Sequence, residues 1–266
     1  MKKTLFVSAL SLLLFSCGGN KESKEFAIKS IKEENFDLTA EGQKGAKNNA
    51  VNFDNLQAFN EAGNITQKRL FNPDGSAAGT YIYEYNAKNL LIKETKYTPT
   101  ENIDKVYTYS YNSDNQLETQ TTHSALGNIQ FADKFTYPSP TLTVQECSDA
   151  QGGIIDKYQY EYDQNHNLIK QTWFALGNAV VKTFIYNDKN LLTEQTENDS
   201  NGYTTKWQFE YDEQGNEVSQ TVTYSDGTQN KTVSKYEYDK YNNWIIKQIY
   251  GNGTPLYQIE RTIEYY

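Results

Sequence analysis

The chain has 266 residues, a net charge of −9, 22 tyrosines, two cysteines and two histidines. Its acidic balance, without a cluster of Lys and Arg, excludes a nucleic-acid backbone as partner and docking on anionic lipid by charge. Two cysteines exclude a disulfide framework, and the wealth of Tyr and Thr favours an all-β chain over a helical one.

The N-terminus reads as an address. Met1-Lys2-Lys3 is basic, and Leu5 to Phe15 is an apolar run interrupted only by Ser8 and Ser11. About eleven residues are too few to cross a bilayer, which needs ~20, but they suit a signal peptide. Leu14-Phe15-Ser16-Cys17 resembles a lipobox, with Phe15 in place of the usual small residue. Residues 1–16 are therefore expected to be a lipoprotein signal peptide and Cys17 the lipidated residue. Acyl chains there would anchor the protein in the cell envelope without a transmembrane helix, at the outer membrane and facing either side. Residues 17–50, rich in Gly, Asn, Lys and Glu, are expected to form a tether, with Phe26, Ile28, Ile31 and Phe36 in a weak short helix or no ordered element.

From residue 51 onward the chain repeats. An anchor aromatic recurs at Phe59, Tyr85, Tyr111, Tyr137, Tyr162, Tyr186, Tyr211, Tyr238 and Tyr265, spaced 24 to 27 residues apart. A second aromatic precedes most anchors by two residues, as at Tyr83, Tyr109, Phe135, Tyr160 and Tyr236. Such period-two alternation marks a half-buried strand. Asn86, Asn112, Asp163, Asn187, Asp212 and Asp239 follow the anchors and open turns. A return strand then carries Thr95, Thr121, Thr172, Thr196 or Thr221, and a glycine loop at Gly127, Gly152, Gly177, Gly202, Gly227 or Gly253 starts the next unit. One unit departs from this rule. Pro138 and Pro140 occupy its turn, which predicts a bulge or irregular edge, and Cys147 falls where the spacing elsewhere places Thr. Residues 51–266 thus predict an all-β domain of antiparallel hairpins, about 17 strands in all. At this size a sheet coils, so the expectation is a superhelical or barrel-like open sheet.

Tyr160-Glu-Tyr-Asp-Gln-Asn-His-Asn-Leu168 and Phe209-Glu-Tyr-Asp-Glu-Gln-Gly-Asn216 resemble the YD repeat of the Rhs family. The resemblance, extending over roughly residues 52–266, implies a β-rich extracytoplasmic repeat. Such repeats are often associated with carbohydrate and, in large toxins, build a shell around an effector.

Chemistry in the chain is sparse. His123 and His166 fall at unlike positions of different units, so neither a zinc site nor a catalytic triad is expected. Glu84, Glu161, Glu210, Glu237 and Glu264 recur just before anchors and should point away from the tyrosines. They could supply a glycosidase pair, but a column repeated in five units reads better as a wetted face. Asp163-Gln-Asn165-His-Asn167 begins like a calcium loop but lacks its glycine and its final acid, and turn formation explains it. No metal or cofactor is expected. Most tyrosines should hold the sheet together. Aromatics that break the repeat, Trp173, Tyr241 and Trp244, are the better ligand candidates, against a capping role near the sheet end. The expected protein is a non-enzymatic, membrane-anchored envelope protein offering a β surface to a glycan or protein. The rivals are a glycan hydrolase using the glutamate column and a purely structural envelope protein.

Overall fold

The computed structural model describes residues 27–48, 53–175 and 178–266. Cys17 and the signal peptide lie outside the described residues, as does Gly177.

Nineteen strands form one antiparallel sheet. They are β1 (Ile28–Leu38), β2 (Lys44–Lys47), β3 (Asp54–Phe59), β4 (Ile65–Phe71), β5 (Ala77–Tyr85), β6 (Leu91–Tyr97), β7 (Ile103–Tyr111), β8 (Leu117–Ser124), β9 (Ile129–Ser139), β10 (Leu142–Asp149), β11 (Ile154–Tyr162), β12 (Leu168–Ala175), β13 (Asn178–Tyr186), β14 (Leu192–Asn198), β15 (Thr204–Tyr211), β16 (Glu217–Tyr224), β17 (Gln229–Tyr238), β18 (Trp244–Gly251) and β19 (Thr254–Tyr265). From β3 to β19 each strand pairs with the next, which gives the repeat hairpins the sequence predicts.

The turns explain this regularity. At Asn86 the backbone N–H donates to Leu90 O (2.9 Å), while Asn89 N donates back to Asn86 O (2.9 Å). The Asn86 Oδ1 accepts from the N–H groups of Lys88 and Leu90. Asn89 takes a left-handed φ of 60°. The ladder then shifts register between Glu84 and Tyr85. This is a type I turn closed by a left-handed residue and a bulge, a common three-residue hairpin. The same geometry recurs at the opposite ends of the strands, for example at Asp149, where Gly152 has φ 83°. In the proline unit β9 runs on through Pro138, and its pairing with β10 slips between Leu142 and Val144.

That slip corrects the placing of Cys147. Opposite the third residue before each anchor stand Thr95, Thr121, Thr172, Thr196 and Thr221, and in the proline unit Glu146. Cys147 therefore turns to the other face, between Asp133 and Asp156.

A second correction concerns the segment before residue 51. Ile28, Ile31 and Phe36 lie in a strand, not a helix or a tether, and β1 pairs with both β19 and β3. Short β2 continues the β3 side of β1. The 17 strands from β3 to β19 are thereby closed by β1 into an 18-stranded barrel, where the repeat by itself predicts an open sheet. Strand contacts run between sheet neighbours, with no second layer against either face among the described residues. Among the described residues no large side chain is fully buried. Barrels of 16–18 strands are wide enough to leave an aqueous interior, and among the described residues the buried apolar side chains are Ile31, Phe36, Leu38, Phe135 and Ile249.

Candidate functional site: the tyrosine face

Alternation divides the barrel into two faces. One carries the tyrosine columns and, on each return strand, a polar residue opposite the second aromatic: Glu94 faces Tyr83, Gln120 faces Tyr109, Gln145 faces Phe135 and Gln171 faces Tyr160. The other face carries cross-strand ion pairs such as Lys93–Glu84 (2.8 Å), Lys157–Glu146 (2.9 Å), Lys170–Glu161 (2.8 Å) and Lys206–Glu194 (2.7 Å). Charges also occur on the tyrosine face, in Lys182–Glu197 (2.8 Å) and Arg261–Glu33 (2.8 Å). Neither face is the continuous apolar band that a membrane-spanning barrel turns to lipid, where a midplane lysine costs about 2–4 kcal/mol.

The anchor column is structural. Its hydroxyls donate to the carbonyl at or near the start of a neighbouring strand: Tyr85 to Ile65 O (2.8 Å), Tyr111 to Leu91 O (2.7 Å), Tyr137 to Leu117 O (2.7 Å), Tyr186 to Leu168 O (3.0 Å) and Tyr211 to Leu192 O (2.7 Å). In the last two units the acceptor is instead a turn carboxylate, Asp212 for Tyr238 and Asp239 for Tyr265. In these seven units the bonds tie a hairpin to the one before it.

The first deviating aromatic, Trp173, lies beside Tyr158 and Tyr160. The Tyr158 ring is nearly parallel to both, at 6.1 Å and 10° from Trp173 and 6.2 Å and 16° from Tyr160. Trp173 Nε1 donates to Asp156 Oδ1 (2.7 Å), and the Tyr160 hydroxyl donates to Gln145 Oε1 (2.6 Å). The three rings form a part-exposed shelf of offset parallel aromatics, edged by Asp156, Gln145 and Gln171. Burial, reinforced by Asp156, pushes the Tyr158 hydroxyl up to about 12. Burial and the carboxylates of Asp133 and Asp156 likewise push the Cys147 thiol up to about 12.

Tyr241 and Trp244 sit apart from that shelf, where the barrel closes. Trp244 packs edge-on against Tyr236 with centroids 6.0 Å apart, and the Arg261 guanidinium lies 3.4 Å from its ring centroid. Arg261 binds Glu33, Asn55 Nδ2 donates to Glu33 Oε2 (2.8 Å), and Gln57 Nε2 donates to Asn55 Oδ1 (2.9 Å). This run of side chains crosses from β17 to β3 over the seam. On the other face Asp54 accepts from Asn35 N (2.8 Å) and pairs with Lys47 (3.1 Å). Tyr241 meets Tyr265 edge-on at 4.7 Å.

His166 is the left-handed turn residue of its hairpin, with φ 62°. Asp163, at the head of that turn, uses both carboxylate oxygens on the N–H groups of Asn165, Asn167 and the Asn167 amide. His123 Nε2 lies 3.2 Å from Thr108 Oγ1 on the ion-paired face. Among the described residues no three His, Cys, Asp or Glu side chains converge as metal ligands. Glu84, Glu161, Glu210, Glu237 and Glu264 all fall on the face away from the tyrosines, and Glu264 accepts from Ser30 Oγ (3.0 Å).

No curated protein matches the sequence. Solved structures that match include a porin-like protein from Bacteroides uniformis, 13% identical, covering 89% of this chain and 98% of that one with a TM-score of 0.46. A porin-like protein from Bacteroides vulgatus is 10% identical over 91% of this chain and 99% of its own, at 0.35. The TcdB2-TccC3-TEV structure is 12% identical over 87% of this chain and 19% of its own, at 0.21. Within the barrel, residues 186–229, from the anchor Tyr186 to the first residue of β17, match the RHS repeat family.

Proposed function

We propose that the protein is a non-catalytic barrel of the cell envelope, held to a membrane by lipid at Cys17, that binds a glycan on its tyrosine face. The observation that carries this reading is the Tyr160–Tyr158–Trp173 shelf. Parallel, part-exposed rings offer a flat apolar plane on which the C–H face of a pyranose can stack. The adjoining amides of Gln145 and Gln171 can donate and accept at its hydroxyls.

The hydrolase reading has weaker support. Glu84 and Glu161 are engaged by lysines on the opposite face. Members of the column in successive units stand two strand spacings apart, about 10 Å, which is wider than either glycosidase geometry. Charges on both faces favour a lipid anchor over a barrel threaded through the bilayer.

The mature domain should be tested on a glycan array alongside Trp173→Ala. A positive glycan whose signal falls at least tenfold in the variant, with the fold intact by circular dichroism, supports the shelf. Silence across host and bacterial polysaccharides sinks it. Mass spectrometry of the mature N-terminus tests the anchor, and an unmodified Cys17 refutes it.

A further inference from the structure

A carboxylate breaks the amide column of the tyrosine face. The return strands place Gln120, Gln145, Gln171, Gln195 and Gln220 opposite the second aromatic, but β6 places Glu94 there. Glu94 stands directly between Tyr83 of β5 and Tyr107 of β7, with Tyr85 and Tyr109 diagonal to it on one side and Tyr81 and Lys105 on the other. The hydroxyls of Tyr83, Tyr85, Tyr107 and Tyr109 feel its charge.

Its partners are missing in a way that those of the anchor column are not. Among the described residues, neither the Glu94 carboxylate nor the hydroxyls of Tyr83, Tyr107 and Tyr109 enter a hydrogen bond or ion pair, whereas Tyr85 and Tyr111 are bonded to backbone. Lys96, two residues on along the same face, is held by Asp104 at 2.7 Å. Glu94 and its tyrosines are nevertheless part-exposed, so a small solute can reach them. A half-buried carboxylate without a cation, walled by aromatic rings, combines the two features by which proteins bind ammonium groups: a counter-charge and ring quadrupoles. Weakly hydrated organic cations suit such a wall better than sodium, which keeps its water.

The geometry points to a binding site for an organic ammonium ion formed by Glu94, Tyr83, Tyr107 and Tyr109. It lies on β5–β7, away from the shelf of β11 and β12, and does not depend on glycan binding there.

Titration of the mature protein with tetramethylammonium chloride, at constant ionic strength in NaCl and followed by calorimetry or by tyrosine proton shifts, tests this. Saturable binding is expected in the wild type, at least tenfold weaker in Glu94→Gln and unchanged in Glu161→Gln, which removes a carboxylate from the opposite face. Glutamine already occupies this place in neighbouring units, so the first variant keeps the fold. An absence of saturable binding in the wild type, equal binding by Glu94→Gln, equal loss in Glu161→Gln, or displacement by sodium at matching concentration would each overturn the assignment.

Discussion

Arg261 holds Glu33 with both Nε and a terminal guanidinium nitrogen at 2.8 Å, joining residues 228 positions apart in the chain. The pair sits on the two strands that close the barrel, and both side chains are mostly shielded from water, at 24% and 18% exposure. Removing one partner leaves the other poorly solvated, a cost on the order of 1–3 kcal/mol for a part-buried, hydrogen-bonded pair. Arg261→Ala should therefore lower the urea midpoint and speed tryptic cleavage. The Glu33→Gln/Arg261→Ala cycle should show coupling, and additive losses would mean that the pair does not act as a unit.

The anchor hydroxyls make a sharper test, because one bond is repeated in many units. Tyr111→Phe and Tyr186→Phe each delete one donor to a backbone carbonyl. Each should cost about 0.5–1.5 kcal/mol in chemical denaturation, and the two should add, since the hairpins concerned are not neighbours.

Glu101 occupies a left-handed turn position, φ 61°, which other loops of that rim give to glycine, as at Gly152 and Gly202. Left-handed backbone costs a residue with a Cβ about 1–2 kcal/mol, partly offset by the greater freedom glycine loses on folding. Glu101→Gly should stabilise by about 0.5–1 kcal/mol in thermal melts, and Glu101→Val should destabilise.

Burial raises the carboxyl of Glu94 above its ordinary value of 4.5. The folded state therefore binds that proton more tightly than the unfolded chain. Stability from this group is full below about pH 4.5 and is lost as pH rises through the folded value. Glu94→Gln should raise the melting temperature at pH 7.5 and leave it unchanged near pH 4. A gain equal at both pH values would assign the effect to something other than ionisation.

With its thiol held near 12, Cys147 should resist iodoacetamide at pH 8 while the barrel is folded and react readily in urea. Counting incorporated label by mass spectrometry at both conditions checks it.

Much of this architecture was legible in the chain. Period-two tyrosines, Asn or Asp turn openers and recurrent glycines predict β3 to β19 and their order, because each hairpin is specified by its own residues. β1 was not legible. Ile28 and Ile31 are three apart, a helical spacing, and Phe36 follows amid charges. Its strand geometry is imposed by partners far away in sequence, Arg261 and Asp54 among them. Cys147 was misplaced because counting from the anchor cannot detect a slip in the proline turn. Of the deviating aromatics, Trp173 joins the ring shelf, while Tyr241 and Trp244 are drawn into packing beside the seam. Glu94 carries no repeat signal of its own: only strand pairing shows it as an acid in a column of glutamines.

The closing contact also sets an order of events. Hairpins can form as soon as their own 25 or so residues are available, on the microsecond scale typical of such units. Ile28, by contrast, pairs with Tyr265, almost at the other end of the chain. Until β19 has been made, β1 presents a strand edge without its final neighbour, the kind of surface that recruits foreign strands. The interval between synthesis of the first strand and arrival of the last is thus the period of greatest exposure to misassembly, and it lengthens with every repeat the barrel contains.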